Sequence, residues 1–467
     1  MAQPTGAHPY MPNSTPAARE LMLRALGIDD VDVLFEQIPR DHLHPGPPTL
    51  SPGIRSEHEL QRRLTRLLRH DTDASQVISF LGGGYWPHHV PAICDEIASR
   101  SEFLTPVWGT PSSDLGRNQA WFEFASQLGE LVELDFVGLP VYSWGAAIGH
   151  ALRMATRITG RGEVVLAGPM DPEKLAVIRT YCGPAGMARS IAVREVSFDI
   201  ATGRVDLNEL RSVVSDQTAA VYFENPNFLG TLEAEAAQIA AIARAAGAET
   251  IVGTDPLSLG LLAPPPRYGA DIVVGTTQPL GVHLNAGGGA GGFIATRDEE
   301  RYASQYPTLQ VSLAGTVRPG ERSFGMTLFH QSSYGSRAQA NDWTGNSVYL
   351  WAVVNAVYMA LLGPAGFAEI GRAIASNSAY AAGQVAGVPG ACVRWGGFFK
   401  EFVVDFNATG RTVAEINAGL RERGIFGGHD LSADFPALGQ AALYCVTEIH
   451  DGADIAVLTS ALKELTA

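Results

Sequence analysis

The chain has 467 residues, of which 46% are hydrophobic and 17% charged, below the roughly 25% charged residues of a typical soluble domain. This length accommodates roughly three domain-sized units, or one large domain with a smaller one. The net charge of −15 excludes nucleic acid as a partner, because no basic stripe is available to neutralise phosphates. A low charged fraction is consistent with a large core and extensive subunit contacts.

The cysteines and the apolar stretches argue for a cytoplasmic protein. No cysteine lies in a CxxC or Cys/His ligand spacing, so we predict reduced, mostly buried thiols and no metal site. Residues 1–16 lack the basic and apolar regions of a signal peptide. The most apolar stretch, residues 349–362, is too short to span a bilayer and is predicted to be a buried helix. The cysteines are Cys94, Cys182, Cys392 and Cys445.

The first 75 residues form a predicted N-terminal helical segment. Residues 14–20 place a hydroxyl and an early proline where a helix begins. Apolar residues then indicate two short amphipathic helices within 21–28 and 31–38, and a Pro/His/Gly-rich connector follows at 39–52. A third helix is predicted over 57–68. Four of its leucines share one face: Leu60, Leu64, Leu67 and Leu68.

Residues 76–330 alternate apolar strand-like runs with helical patterns. Because these runs lack a period of two, we predict a mostly parallel sheet buried on both faces, in a large α/β domain. Its strands are predicted within 162–167, 190–197, 218–224, 250–255 and 270–275, and its helices within 172–181 and 234–246.

Residues 331–467 are predicted to form a small C-terminal α/β domain. Its strands are predicted at 398–406 and 442–448, and its helices at 412–423 and 453–465.

Asp255 is the first candidate site residue, because it ends one of the predicted strands. Open α/β sheets bind ligands at the carboxyl ends of their strands. In pyridoxal phosphate enzymes, an aspartate so placed pairs with the pyridine nitrogen and keeps it protonated. A structural role fits equally well, since an aspartate here also caps the following turn.

Lysine is rare in this sequence, and this limits the chemistry. The chain contains three lysines, Lys174, Lys400 and Lys463, and none follows the strand after Asp255. That position, residues 276–285, carries Gln278 instead. We expect the three lysines to be solvated surface residues, so the chain alone should not perform Schiff-base chemistry.

Other motifs are less specific. The glycine run 287–292 resembles a phosphate-binding loop but lacks the P-loop and dinucleotide patterns, so close backbone packing explains it at least as well. His88 and His89 are candidate acid–base groups, although a hydrogen-bonded pair of partly buried histidines is the favoured interpretation. No GxSxG element is present.

These segments resemble the α-subunit of the two-chain glycine decarboxylase, the P-protein of the glycine cleavage system. The similarity extends from about residue 14 to the end of the chain, and it is most specific at 268–275 (YGADIVVG) with 278–281 (QPLG). The other matching segments are 25–39, 80–91, 100–103, 222–230, 255–262, 398–402, 427–431 and 445–448.

The resemblance implies an aminotransferase-like fold, that of the type I pyridoxal phosphate enzymes, in which a lysine-bearing β-subunit binds pyridoxal 5'-phosphate covalently. The α-subunit packs against it, in an expected α2β2 heterotetramer, and helps to form the active site. The pair decarboxylates glycine and passes the aminomethyl group to a lipoylated carrier protein. The missing lysine is therefore expected here. Candidates that line the shared site or interface are His88, His89, Trp108, Tyr142, Asp255 and Gln278.

Several loops depart from the family pattern. The rewritten segments are 105–117, 142–145, 331–337 and 343–348. They are consistent with a diverged α-subunit whose partner uses an altered substrate or acceptor in a specialised pathway, and equally with neutral drift. Two other functions stay open: an inactive binding or regulatory homologue, and a self-sufficient enzyme that uses another cofactor, for which no motif argues.

Overall fold

The computed structural model describes residues 7–8, 10–44, 46, 49–51, 53–104, 111–183, 190–285, 288–327 and 348–467. The chain divides into two compact units, Met1–Thr72 and Asp73–Ala467. The predicted separation of a large domain (76–330) from a small one (331–467) stays a prediction.

The first unit contains α1 (Pro16–Leu26), a 3-10 helix (Val31–Phe35) and α2 (Glu57–Leu68). The Thr15 hydroxyl, within the predicted segment 14–20, caps α1. The helix over 57–68 is confirmed, and Ser56 caps it. The second predicted amphipathic helix is the shorter 3-10 helix. None of the described residues of this unit is buried, and the four leucines of α2 are exposed.

The helices of the second unit are α3 (Ala92–Ala98), α4 (Ser101–Leu104), α5 (Pro111–Val132), α6 (Trp144–Thr159), α7 (Pro172–Cys182), α8 (Leu207–Val213), α9 (Ala236–Ala245), α10 (Glu300–Ala303), α11 (Tyr349–Val385), α12 (Val413–Arg421) and α13 (Gly452–Thr466). Short 3-10 helices span Pro256–Gly260, Pro265–Tyr268, Asn407–Thr409 and Pro436–Leu438.

The strands of this unit are β1 (Ile78–Ser79), β2 (Phe136–Val137), β3 (Glu163–Ala167), β4 (Ala192–Val196), β5 (Phe198–Asp199), β6 (Arg204–Val205), β7 (Thr218–Glu224), β8 (Glu249–Thr254), β9 (Ile272–Thr276), β10 (Gly292–Thr296), β11 (Gln310–Gly315), β12 (Arg322–Thr327), β13 (Cys392–Val393), β14 (Glu401–Asp405), β15 (Ile425–Phe426), β16 (His429–Asp430) and β17 (Ala441–Cys445).

The central sheet has seven strands in the order β2-β10-β9-β8-β7-β3-β4. The pairings among β9, β8, β7, β3 and β4 are parallel, whereas β10 runs antiparallel to β9 and β2. β7, β8 and β9 are buried at every residue, because helices cover both faces of a parallel sheet. The predicted mostly parallel sheet is confirmed.

A second sheet, antiparallel in the order β13-β14-β17-β16, lies in the C-terminal part of the chain. The short strand β1 pairs in parallel with β15 and so ties residues 78–79 to that part. The chain segment that leaves β1 carries the 80–91 motif, and its position between the two sheets determines the site described below.

The long apolar helix α11 consists of two helices joined at a kink. Gly363 has a non-helical backbone, with φ of 55°, and Pro364 follows it. A proline cannot donate the hydrogen bond that would continue the helix. α11 is long and apolar enough to cross a bilayer, but a buried helix of a protein core has the same properties. Its first half matches the predicted buried helix at 349–362, and Ala352 to Ala356 are buried there.

Candidate functional site

Asp255 lies at the carboxyl end of β8 and performs two tasks with its two oxygens. Oδ1 accepts a hydrogen bond of 3.1 Å from the Leu257 N–H and caps the 3-10 helix that follows. Oδ2 lies 2.7 Å from Nζ of Lys400 in an ion pair. Each residue is 3% exposed. Asp255 therefore caps a turn and also pairs with a cation. That cation is the Lys400 ammonium of this chain and not the ring nitrogen of a cofactor.

The expectation that Lys400 is a solvated surface residue is wrong. Its stem leaves the turn before β14 and points into the interior, where its Nζ donates to Nε2 of His88 at 2.8 Å. Nδ1 of His88 lies 2.7 Å from Oε2 of Glu448. Since the lysine ammonium can only donate, the His88 proton is on Nδ1 and is donated to Glu448.

The electrostatics agree with this arrangement. Burial, together with the charge of Lys400, lowers the pKa of His88, so the imidazole is neutral. Burial opposes ionisation of Glu448, but hydrogen bonds from His88 and from the His89 N–H outweigh it and hold the pKa of Glu448 well below its usual value. The result is a continuous buried row: carboxylate, ammonium, neutral imidazole and carboxylate.

His89 has a different environment from its neighbour. Its backbone N–H donates to Oε1 of Glu448 at 2.8 Å, whereas its side chain is exposed. The two histidines therefore do not form the hydrogen-bonded pair that the sequence favoured. Instead, both bind Glu448, one through its ring and one through its backbone.

Lys174 forms a second buried ion pair, so it too was wrongly expected to be solvated. Its Nζ lies 2.7 and 2.9 Å from the two carboxylate oxygens of Glu224, at the end of β7. The Tyr222 hydroxyl donates to the same carboxylate at 2.8 Å. Such a pair is stable in the interior only because further hydrogen bonds and aromatic contacts satisfy its members. Lys463, by contrast, is exposed as predicted.

Two tryptophans separate and cover the lysines. Nζ of Lys400 lies 3.9 Å from the ring centroid of Trp86, and Nζ of Lys174 lies 3.8 Å from that of Trp144. The rings themselves meet edge to face, with centroids 6.1 Å apart. A cation on a desolvated indole face gains about 2 kcal/mol. Trp144 occupies the first turn of α6, directly after its N-cap Ser143.

Gln278 follows β9, where the resemblance places a cofactor-binding lysine. Its Oε1 accepts from the Trp86 N–H at 3.2 Å, and its Nε2 donates to the carbonyls of Trp86 and Val282, each at 3.2 Å. The side chain is buried. The amide oxygen and the amide nitrogen of Gln278 therefore both bind the backbone, and they fix Trp86, whose ring lies against the Lys400 ammonium.

Glu401 completes the cluster from the opposite side. Its Oε1 accepts from the Gly83 N–H at 2.6 Å, and burial raises its pKa to about 7. A Cβ at Gly82 would lie 2.1 Å from the same oxygen. Gly82 thus allows the backbone to approach the carboxyl closely.

The space among these groups has a volume of about 20 Å³, enough for roughly one water molecule. Small-molecule pockets usually measure about 300–1,000 Å³. A pyridoxal-type cofactor does not fit here, because lysine and indole side chains fill the place. The walls include Trp86, Trp144, Lys174, Glu224, Asp255 and Lys400.

The glycine run packs against neighbouring backbone in its described part. Gly291 has φ of 86°, and a Cβ there would lie 2.4 Å from Oγ1 of Thr277. A Cβ at Gly292 would lie 2.2 Å from the Ser143 carbonyl oxygen. These contacts favour the packing interpretation over a phosphate loop. Residues 286 and 287 fall outside the described ranges.

The structure brings together His88, Asp255 and Gln278. Tyr142 lies at the surface, 40% exposed, and its backbone carbonyl accepts a hydrogen bond from the Gly291 N–H. Trp108 lies outside the described residues, as do positions 331–337 and 343–347 of the rewritten loops. In the part of the chain that the structure covers, no three His, Cys, Asp or Glu side chains converge as a metal site.

The sequence missed the residues that fill the site: Lys174, Glu224, Lys400, Glu401, Glu448 and Trp86. A usable signal was present, because five of them lie in segments already recognised as family motifs, 80–91, 222–230, 398–402 and 445–448. A lysine inside such a motif, in a chain with only three lysines, is a poor candidate for a solvated surface residue.

The central sheet, with a carboxylate at the end of β8, and the antiparallel C-terminal sheet define the aminotransferase-like fold of the type I pyridoxal phosphate enzymes. A sphingosine-1-phosphate lyase from Burkholderia pseudomallei shares this fold, with a TM-score of 0.64 at 15% identity over 91% of this chain and 92% of the other. The predicted fold class is confirmed.

The chain belongs to the glycine cleavage system P-protein family, whose model matches residues 8–425. It is similar to a crystal structure of the glycine decarboxylase P-protein in inhibitor-bound form, with a TM-score of 0.84, 32% identity and coverage of 97% of this chain and 98% of that one. The predicted family is confirmed.

Two relatives carry the name probable glycine dehydrogenase (decarboxylating) subunit 1. The protein from Staphylothermus marinus is 34% identical, covering 98% of each chain. The protein from Thermococcus onnurineus is 36% identical, covering 98% of this chain and 100% of its own.

Proposed function

We propose that this chain is the subunit without the cofactor lysine in a two-chain glycine-decarboxylating enzyme. Its partner is a lysine-bearing β-subunit that carries pyridoxal 5'-phosphate, in an α2β2 assembly located in the cytoplasm. The name "subunit 1" of the relatives supports a two-chain form. The assembled enzyme decarboxylates glycine and transfers the aminomethyl group to a lipoylated carrier.

One observation carries the assignment of the cofactor to the partner. In this chain the place of a cofactor is filled by the Lys400 and Lys174 ion pairs and two indoles, and about 20 Å³ is left. Gln278, at the position of the cofactor lysine, is engaged with Trp86. The catalytic contribution of this chain is therefore a surface presented to the partner, and not a cofactor site of its own.

Tyr142 and His89 are our candidates for that surface. Both side chains are exposed, and both are attached through their backbones to the rigid cluster: His89 through Glu448, and Tyr142 through Gly291 beside the start of α6. Trp108 belongs to the same proposal on the resemblance alone. Alanine substitution of Tyr142 or His89 should weaken assembly or turnover of the pair, and the His89 variant should leave the melting temperature of the isolated chain unchanged.

Co-expression with the lysine-bearing chain tests the proposal. The visible absorbance of lysine-bound pyridoxal phosphate should appear in the co-purified pair and not in this chain alone. Release of labelled carbon dioxide from carboxyl-labelled glycine should require both chains and a lipoylated carrier. Bound cofactor in this chain alone would contradict the assignment.

The rewritten segment 142–145 favours a second candidate, a diverged subunit whose enzyme uses a different amino acid or acceptor. The same assay separates the two. Turnover of glycine with the lipoylated carrier supports the first function. A pair that binds cofactor and turns over another amino acid, but not glycine, supports the second.

A further inference from the structure

Three groups lie around the ammonium of Lys400. Asp255 Oδ2 lies 2.7 Å from Nζ, His88 Nε2 lies 2.8 Å from it, and the Trp86 ring centroid lies 3.9 Å from it. An ammonium has three N–H bonds to direct, and here it has a carboxylate, an imidazole lone pair and an indole face.

A carboxylate, an imidazole and an indole face would also bind a flat, cationic ring. Asp255 ends the strand at the position where pyridoxal enzymes pair an aspartate with the protonated ring nitrogen. An isolated carboxylate buried to this degree is unfavourable without a positive partner. A chain that binds no cofactor must supply that positive charge in another way.

We propose that Lys400 replaces the cofactor in this chain. Its ammonium takes the position of a ring cation at Asp255, and the Trp86 indole, held by Gln278, takes the place of the ring. The site therefore binds an alkylammonium group, and that group is the Lys400 side chain of the same polypeptide. This deepens the proposed function by naming what holds the cofactor position closed.

Chemical rescue tests the proposal in the full-length chain. Lys400→Ala removes four side-chain atoms that correspond to n-propylammonium, and the matched control Lys463→Ala removes the same atoms from an exposed helix position. We expect Lys400→Ala to lower the melting temperature by several degrees and Lys463→Ala to leave it unchanged. Equal melting temperatures of the two variants would overturn the proposal.

Added n-propylammonium chloride should raise the melting temperature of Lys400→Ala saturably, compared with sodium chloride at the same concentration. It should not do so for Lys463→Ala or for the double variant Lys400→Ala/Asp255→Asn. A rise of the same size in all three variants would mean that no specific site exists.

If Lys400→Ala does not fold, a volume-conserving set replaces it. Lys400→Met should melt well below the wild type, because Asp255 then has no cation, and Lys400→Met/Asp255→Asn should recover most of the loss. A double variant no more stable than Lys400→Met would overturn the pairing.

Covalent labelling of the wild-type chain gives a second readout. With pyridoxal 5'-phosphate and borohydride, Lys463 should be labelled and Lys400 should not. Labelling of Lys400 to the extent of Lys463 would show an open site and sink the proposal. Neither measurement uses the partner or turnover, so an inactive pair would contradict the proposed function alone.

Discussion

Gln278 binds the main chain of Trp86 on both sides: its amide oxygen accepts from the Trp86 N–H and its amide nitrogen donates to the Trp86 carbonyl, each at 3.2 Å. The Gln278 side chain thus makes the two hydrogen bonds to the Trp86 backbone that a neighbouring β-strand would make. At the position where the resemblance places a cofactor-binding lysine, this chain thus carries an amide, which can both give and accept hydrogen bonds.

We predict that Gln278→Leu destabilises the protein by about 1–3 kcal/mol, since it leaves buried backbone groups of Trp86 without partners. The free energy of unfolding in urea measures this. Gln217→Leu serves as the control, because Gln217 is exposed and its side chain bonds only to the neighbouring Asp216. Similar stabilities of the two variants would contradict the role given to Gln278.

The Lys174–Glu224 pair should show the asymmetry of a buried ion pair. Lys174→Met leaves Glu224 charged in the interior and should cost about 3–5 kcal/mol. Adding Glu224→Gln to that variant should recover most of the loss. Arg194→Met, which breaks an exposed pair with Glu163, should cost less than about 1 kcal/mol. Additive effects of the two substitutions at 174 and 224 would argue against coupling.

Glu401 should make stability fall as the pH rises. Burial raises its pKa in the folded chain to about 7, against 4.5 for the ordinary group. The unfolded chain therefore releases this proton first, so the contribution of Glu401 to stability is fully present below pH 4.5 and is lost progressively up to about pH 7. Relative to Glu401→Gln, the wild type should lose about 2–3 kcal/mol between pH 5 and 8.

Unfolding free energies of both proteins at pH 5 and 8 decide this point. The comparison isolates Glu401, because Glu233, whose pKa burial likewise raises to about 7, is present in both proteins. Parallel pH profiles of the wild type and Glu401→Gln would show that the carboxyl is not perturbed.

Gly82→Ala should be strongly destabilising, by about 3 kcal/mol, since overpacking has few ways to relax in a dense core. Its Cβ would lie 2.1 Å from the Glu401 carboxyl and 2.9 Å from Cβ of Cys445. Gly162→Ala is the matched control, because a Cβ there meets nothing within 4 Å. Thermal melts of the two variants provide the measurement, and equal melting temperatures would refute the close approach.

Sequence patterns predicted the strands of the central sheet well and several helices poorly. β7 was predicted with the correct bounds, because a continuous apolar run between turn signals identifies a buried parallel strand. α6 was not predicted, and eleven of its sixteen residues are buried.

Sequence patterns likewise identified some of the site residues and missed others. Asp255 was found because its position at the end of a strand is a local property of the sequence. The partners of the lysines were not, since Lys174 lies 50 residues from Glu224 and Lys400 lies 312 residues from His88. Such pairings depend on the topology of the fold, which no local pattern contains. The general expectation that lysines are solvated then gave the wrong environment for two of the three lysines, Lys174 and Lys400.

The hydrogen bonds to the backbone of residues 83–89 have a consequence for local unfolding of the second unit. Three amides of this short segment are bound by side chains from distant parts of the chain: Gly83 by Glu401, Trp86 by Gln278 and His89 by Glu448. Neither the C-terminal sheet nor the loop after β9 can fluctuate away without releasing them. These amides should therefore exchange with deuterium only at the rate of global unfolding, whereas the Leu81 amide, bonded only to a neighbouring serine hydroxyl, should exchange earlier. The segment makes the two sheets a single cooperative unit.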